Sequence, residues 1–295
     1  MKILTSKQMN EVDRLTSEEF GISSLLLMEN AGMNLYWVLH KYFPDLQKRR
    51  TAVLCGKGNN GGDGLVLARQ LAQRNCAPDV YLLGNQKDLS GNARTNLEAY
   101  LKSGQKVNEV NSESEWQSIK EIFSHYEIIV DALLGTGISK PLEGLYLKVA
   151  STIDAMQSFV LSVDLPSGMF SDSMLGGTRA VQANATVTFT APKIAHILNE
   201  DQQAVGQLHI VPIGTPSKLL EGPNFYLNLM TREMIRAYLP RRKTKSHKGN
   251  LGHVGIISGS RGMSGAAVLA GMGALRTGSG LVTLYTPSAI QDTIS

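Results

Sequence analysis

The sequence predicts an α/β protein: a parallel sheet with helices on both faces, followed by a shorter and incomplete second α/β segment. Two observations predict it. Short apolar runs alternate with helical stretches between about residues 50 and 212. In addition, Val53-Leu54-Cys55 runs straight into Gly56-Lys57-Gly58-Asn59-Asn60-Gly61-Gly62-Asp63-Gly64, and an amphipathic helix leaves that glycine-rich stretch.

The elements follow in order. Thr5-x-x-Gln8 has the form of a capping box, with Met9, Val12 and Leu15 as the apolar stripe of a first helix. A second helix is expected from Ser23 to about His40. Strands are expected at Ala52–Cys55, Val80–Leu83, Ile128–Val130, Val160–Val163, Thr186–Phe189 and His209–Val211. Helices are expected around Leu65–Arg74, Ala93–Leu101, Glu113–Phe123 and Leu145–Met156. The alternation breaks into turn residues near Pro212–Pro223, and Arg232–Leu239 reads as a helix. A new unit then begins: strand Val254–Ser258, a glycine-bearing link, helix Ala266–Arg276 and strand Leu281–Tyr285. One such unit cannot cover both faces of a sheet, so it is expected to open a second domain or to dock on the first. The expected division is residues 1–215, a connector at 216–250, and 251–295.

Composition narrows the function classes. Of 295 residues 42% are hydrophobic and 18% charged, which suits a soluble globular protein with an ample core. No apolar run approaches membrane-spanning length, and the start lacks a signal-peptide core, so no membrane partner is expected. The two cysteines, Cys55 and Cys76, form no metal-type pair, and a cytoplasmic setting is expected. The net charge of +4 rests on Arg241, Arg242, Lys243, Lys245 and Lys248. Without these five the 29 basic residues fall to 24 against 25 acidic ones, and no aromatics interleave the run. That pattern is a solvated connector rather than a nucleic-acid surface.

The first amides of a helix leaving the glycine turn point outward at the positive end of its dipole, where an anionic ligand would sit. Gly56-x-Gly58-x-x-Gly61 after a strand matches the dinucleotide fingerprint of Rossmann-like folds. The fingerprint also expects an acid near the end of the next strand. Here Asp79 stands at its beginning, and Asn85 and Gln86 at its end. No Gly-Lys-Ser/Thr follows, so the turn is not a P-loop. A redox enzyme using the turn for a nicotinamide coenzyme, a nucleotide-binding sensor or scaffold, and a tight turn without ligand all stay open.

Three strand ends carry polar signatures: Gly58-Asn59-Asn60-Gly61-Gly62-Asp63, Asp131-Ala132-Leu133-Leu134-Gly135-Thr136-Gly137, and Asp164-Leu165-Pro166-Ser167-Gly168. If the strands are neighbours, Asn60, Asp131, Asp164 and Ser167 converge on one rim, where open parallel sheets bind ligands. The alternative is three separate Asx-turns. An amide oxygen, a carboxylate and a hydroxyl form an oxygen-only set suited to a hard cation, a monovalent ion at least as well as magnesium. Asp164 would then be free for proton transfer, its pKa raised by desolvation, a shift opposed by any bound cation. His196 sits in an apolar context and reads as a packed residue. Lys193, after Pro192, is either a surface charge or a residue closing the cleft.

Four motifs in order, Leu27-Met28-Glu29-Asn30-Ala31-Gly32, the Gly58–Gly64 turn, Asp131–Gly137 and Val163-Asp164-Leu165-Pro166-Ser167-Gly168, resemble the NAD(P)H-hydrate epimerases from about Met1 to Pro212. The stretch from His247-Lys248-Gly249 to Leu281-Val282 resembles the start of the ribokinase-like NAD(P)H-hydrate dehydratases. The whole is similar to the bacterial bifunctional repair enzymes that join both activities. The resemblance implies a Rossmann-like domain followed by an incomplete ribokinase-like one, with hydrated NADH or NADPH as substrate and a homo-oligomer as one open state. It implies that Asn59, Asn60, Gly61, Gly62 and Asp63, together with Gly135, Thr136, Gly137, Ile138, Ser139, Lys140 and Pro141, bind the dinucleotide. Asp164 would lie beside the nicotinamide ring as the catalytic residue, and Asn60, Asp131 and Ser167 would hold a potassium ion. Ala267 would touch the substrate of the dehydratase, for which ADP or ATP matters only in a complete domain. The late Gly-x-Gly-Asp motif and catalytic aspartate of that domain are absent from the sequence.

The substrate so implied carries a hydroxyl on the ring carbon next to nitrogen. The nitrogen lone pair can expel it to leave a planar iminium, and water can return to either face. Asp164 is expected to protonate the departing hydroxyl and to deprotonate the incoming water. Ring opening at the same carbon is the alternative route.

Overall fold

The computed structural model describes residues 1–176, 179–239 and 244–294. Arg241, Arg242 and Lys243 of the basic run, with Pro240, lie outside the described residues. Two compact units, Met1–Leu229 and Met230–Ser295, divide the chain.

In the first unit, helix α1 (Ser6–Glu18) starts at the expected box: the Gln8 amide donates to the Thr5 hydroxyl at 3.2 Å, and the Thr5 amide donates to the Gln8 side chain at 2.8 Å. Helix α2 (Ser24–Tyr42) follows. The sheet is built from β1 (Thr51–Cys55), β2 (Asp79–Leu83), β3 (Val107–Val110), β4 (Ile128–Ala132), β5 (Phe159–Val163), β6 (Ala185–Phe189) and β7 (Gln207–Val211). All pairings are parallel, in the order β3-β2-β1-β4-β5-β6-β7. The interleaved helices are α3 (Asn59–Ala72), α4 (Gly91–Lys102), α5 (Glu113–Ile119), α6 (Gly144–Asp154) and α7 (Ile194–Leu198).

Side chains of a strand alternate between faces, and both faces here are covered. Val53, Cys55, Val80 and Leu82 pack with Leu67, Leu71, Leu97 and Leu35 of α2, α3 and α4. Ala52, Leu54, Tyr81 and Ile129 pack on the other side with Trp116, Val149 and Ile153 of α5 and α6. The chain builds outward from β1 to β3 and then returns to place β4 on the other side of β1. That reversal opens a crevice above the ends of β1 and β4.

Three expectations are corrected. Strand β3 was not expected: Val107-Asn108-Glu109-Val110 is a largely exposed edge strand, so its sequence lacks an apolar run. The span Glu113–Phe123 is not one helix, because α5 ends at Ile119 and a 3-10 turn, Lys120–His125, continues it. Helix α3 begins at Asn59 rather than Leu65, so most of the glycine-rich stretch is helix rather than bend.

The second unit holds α8 (Arg232–Tyr238), β8 (His253–Ile257), α9 (Ser264–Thr277), β9 (Leu281–Tyr285) and α10 (Gln291–Ile294). Strands β8 and β9 pair in parallel as a sheet of their own. No helix among the described residues is long and apolar enough to cross a membrane.

Candidate active site

The glycines after β1 serve packing. Gly56, Gly58, Gly61, Gly62 and Gly64 all avoid the left-handed region. A Cβ on Gly61 would sit 1.9 Å from the Gly56 carbonyl oxygen, and one on Gly64 would sit 2.6 Å from the Ala132 Cβ. These glycines therefore let α3 press against the ends of β1 and β4, which corrects the expectation that they bend the chain toward a ligand. Gly58, with open space around its Cα, is the N-cap and offers no side-chain cap, so the first amides of α3 face the crevice.

Above that crevice lies a cleft of about 450 Å³. Asn59, Asn60 and Asp63 line it from α3, and Gly135, Thr136, Gly137 and Ile138 from the loop after β4. Asp164, Lys193 and Asp13 add charged groups to its lining, with Asn10, Ser24 and Asn92. Gly61 and Gly62 are buried behind it, and Ser139, Lys140 and Pro141 are exposed beyond it. Ala267 lies in α9 of the second unit, its side chain fully buried.

The three strand ends meet. The Ser167 hydroxyl lies 2.5 Å from Asp131 Oδ1, and the Ser167 amide donates to Oδ2 at 2.9 Å. Ser162, the register partner of Asp131 on β5, donates to Oδ2 at 2.9 Å. The Leu134 amide donates to the Ser167 hydroxyl at 3.0 Å, tying the loops after β4 and β5 together. Gly168, at φ +104°, reverses the chain just after Ser167. A Cβ on Gly135 would stand 3.1 Å from Asn60 Oδ1 and 3.4 Å from Asp164 Oδ2, so those two oxygens converge on the bare backbone of Gly135. Asp131 is fully buried, and burial pushes its pKa up against the pull of its Ser167, Ser162 and Leu133 donors. The Asn60 amide nitrogen is buried without a hydrogen-bond partner.

Asp164 is held in a strained conformation, φ +62°. Lys193 Nζ donates to its Oδ1 at 2.6 Å and to the Thr188 hydroxyl at 2.8 Å, and that hydroxyl donates to Oδ1 at 3.0 Å. Oδ2 is left facing Gly135 and Asn60. Thr190, at φ +65°, turns the chain after β6 so that Lys193 comes back over the strand ends. Only 1% of Lys193 is exposed, so it is a residue of the cleft rather than a surface charge. The raised pKa expected for Asp164 is also corrected. Burial pushes it up, but the Lys193 charge and hydrogen bond outweigh that and hold the carboxyl below its ordinary value. Lys193 is thus one cation that opposes the desolvation.

His196 is packed, as its context suggested, and its partners fix its tautomer. Nδ1 accepts from the Lys193 amide at 2.9 Å, so Nε2 carries the proton and donates to the Asp164 carbonyl at 2.7 Å. Burial, with Lys193 nearby, lowers its pKa to about 4, so it is neutral and positions Asp164. Two other carboxyls respond oppositely. Burial pushes Asp13 up to about 6, and burial with the neighbouring Asp164 and Asp13 charges pushes Asp63 well up. Sequence reasoning left Asp13 unassigned and Lys193 without a role. The one signal for Lys193 was its place directly after a proline in the loop that follows β6, and Asp13 carried none.

Fold and site together define a Rossmann-like α/β protein with an acid-lined cleft over a switch point of its sheet. The family described as YjeF-related protein N-terminus matches residues 24–195. The chain belongs to that family. It is 39% identical over 292 residues to the bifunctional NAD(P)H-hydrate repair enzyme Nnr of Moorella thermoacetica, covering 99% of this chain and 55% of the relative. It is 31% identical over 217 residues to the NAD(P)H-hydrate epimerase of Rhodopirellula baltica, covering 74% of this chain and 86% of that protein. The crystal structure of yeast ynu0 shares the fold, with a TM-score of 0.60 at 20% identity over 83% of this chain and 98% of that one. The chain thus spans about half the length of the bifunctional relatives it matches.

Proposed function

We propose that the first unit interconverts the R and S forms of hydrated NADH and NADPH. The observation that carries this reading is Asp164: a buried carboxylate with one oxygen tied to Lys193 and Thr188 and the other open to the cleft. The likeness to a relative named as an NAD(P)H-hydrate epimerase along most of that relative's length supports it. The uncapped start of α3 suits the pyrophosphate of a dinucleotide, and the apolar wall of Leu27, Met28 and Ile213 suits a ring.

In this mechanism the neighbouring hydroxyl is protonated from its own face of the ring, the ring nitrogen lone pair expels it as water and a planar iminium forms. Asp164, ionised at rest beside Lys193, takes a proton from water returning to the ring carbon. Loss of water on the same face is the reverse step, with the protonated carboxyl as donor. His196 and Thr188 hold the carboxylate in place. A nearby negative charge also favours the cationic iminium.

Asn60, Asp131 and Ser167 fit a potassium ion by their chemistry. The donors are all oxygens, and Asp131 is a buried carboxylate whose hydrogen-bond donors are neutral. When bound, the ion would supply positive charge against the substrate's anionic groups. Residues 251–295, including Ala267, read as the opening segment of a dehydratase domain.

Asp164→Asn tests the function. It is expected to bind hydrated NADPH within a few-fold of wild type and to lose interconversion by roughly 100-fold or more, followed by chiral chromatography. Normal turnover in that variant would end the role given to Asp164. Replacing potassium by choline in the buffer is expected to slow wild type and to leave Asp131→Asn, already slow, unchanged. Equal rates in both buffers for wild type would remove the ion from the scheme.

A further inference from the structure

Epimerisation at one ring carbon requires the hydroxyl to leave from one face and water to arrive at the other. Asp164 has a single open oxygen, Oδ2, directed toward the loop after β4. A rigid carboxyl so placed serves one face of a bound ring. The other face needs its own proton donor and acceptor.

We propose that Asp13 is that second acid–base residue, reaching the ring from the wall formed by α1. This inference rests on the epimerase reading above and adds a catalytic residue to it.

Geometry carries the assignment. Helix α1 is fastened beside the reacting end of the cleft: the Leu4 amide donates to the Pro192 carbonyl at 2.9 Å, and Leu4 forms a parallel bridge with Lys193. Ser6 donates to Asp172 through both its amide, at 2.7 Å, and its hydroxyl, at 2.6 Å. Met9 and Val12 are buried against Ala191 and Phe225. The helix therefore stands by the loop after β6, whereas Asp164 Oδ2 looks toward the loop after β4, and β5 lies between those strands. Asp13 lines the cleft, and its Oδ1 is buried with no hydrogen-bond partner. Asp63, 9% exposed in the same cleft, has no hydrogen-bond partner among the described residues either. A half-buried Asp13 with an orphaned Oδ1 and a buried Asp63 carboxyl in one cleft suit a polar ligand. With Asp13 pushed up to about 6 and Asp164 held low, the cleft holds one protonated and one ionised carboxyl most readily around pH 6 and below.

The step balances. On one face Asp13 gives its proton to the departing hydroxyl. The C–O bond breaks with its electrons going to oxygen, and the nitrogen lone pair makes the C=N bond. On the other face a water oxygen bonds to the carbon, the C=N electrons return to nitrogen, and Asp164 takes the water proton. The opposite direction exchanges the two roles.

The test follows single epimers of hydrated NADPH in ¹⁸O-water with the full chain, subtracting the protein-free rate. Wild type is expected to invert with incorporation of solvent oxygen. Asp13→Asn is expected to lose inversion on the order of 100-fold while one epimer still exchanges its hydroxyl oxygen with retained configuration. Asp164→Asn is expected to do the same for the other epimer. Asp13→Asn inverting at the wild-type rate would overturn the assignment. So would loss of exchange in both epimers by a variant that melts like wild type. Should Asp13→Asn not fold, Asp164→Asn decides alone, since exchange in neither epimer leaves no acid–base role for Asp13. Failure of the epimerase reading is distinguishable, because wild type itself would then neither invert nor exchange.

Discussion

The ionisation the fold resists in His196 has a measurable consequence. Its pKa is about 4 in the folded chain against an unfolded value of 6.5, so between those values the unfolded chain binds more protons. Stability from keeping this imidazole neutral is therefore complete above about pH 6.5 and is lost as pH falls toward 4, by about 3 kcal/mol in all. Asp13, whose folded pKa is raised to about 6, acts in the opposite sense over much of the same window. Comparison with His196→Gln isolates the imidazole. The drop in melting temperature between pH 7.5 and pH 4.5 is expected to be smaller in the variant, and an unchanged drop would remove His196 from the acid response. The residue types at the site were legible in the sequence because they follow apolar strands directly. Their pKa directions were not: Asp164 and Lys193 are 29 positions apart and become a pair only when the loop after β6 folds back.

At the scale of elements, the glycine-rich start of α3 couples the sheet to the site. Its glycines separate into two kinds by what a methyl group would meet. Gly61→Ala would drive a Cβ to 1.9 Å from the Gly56 carbonyl and is expected to cost more than about 3 kcal/mol in urea unfolding. Gly58→Ala meets nothing within 4 Å at the helix N-cap and is expected to cost about 1 kcal/mol or less. Equal costs would mean that these glycines serve the ligand rather than the packing. Six of the seven strands in the larger sheet announce themselves as apolar runs, five because both their faces are covered and β7, an edge strand, through a half-buried run. The seventh, β3, has an edge and an exposed face, so burial never required a pattern there. The true start of α3 was hidden for a related reason. Glycines that read as a bend are helical here because packing against β1 and β4 outweighs their poor helix propensity.

For the molecule as a whole, the two units differ in how completely they bury their sheets. Strands β1 and β4 lie at the centre of seven, every residue buried. Strands β8 and β9 form a pair whose unit leaves Ile257 90% and Leu269 75% exposed. A two-stranded parallel sheet with one long helix is marginal by itself. Hydrogen exchange read by mass spectrometry is expected to be slowest in β1 and β4 and orders of magnitude faster in β8 and β9. Comparable protection in both would contradict this account of where the stability resides.

The sequence by itself determined the α/β class, most strands and helices, the three polar strand ends and the family resemblance, because each is written in local periodicity and short motifs. Tertiary structure alone decided which loops meet, that Lys193 pairs with Asp164 and lowers its pKa, and that Asp13 enters the cleft. The physical reason is that a carboxyl's chemistry depends on burial and on charges within a few ångströms, and distance in space is not distance along the chain.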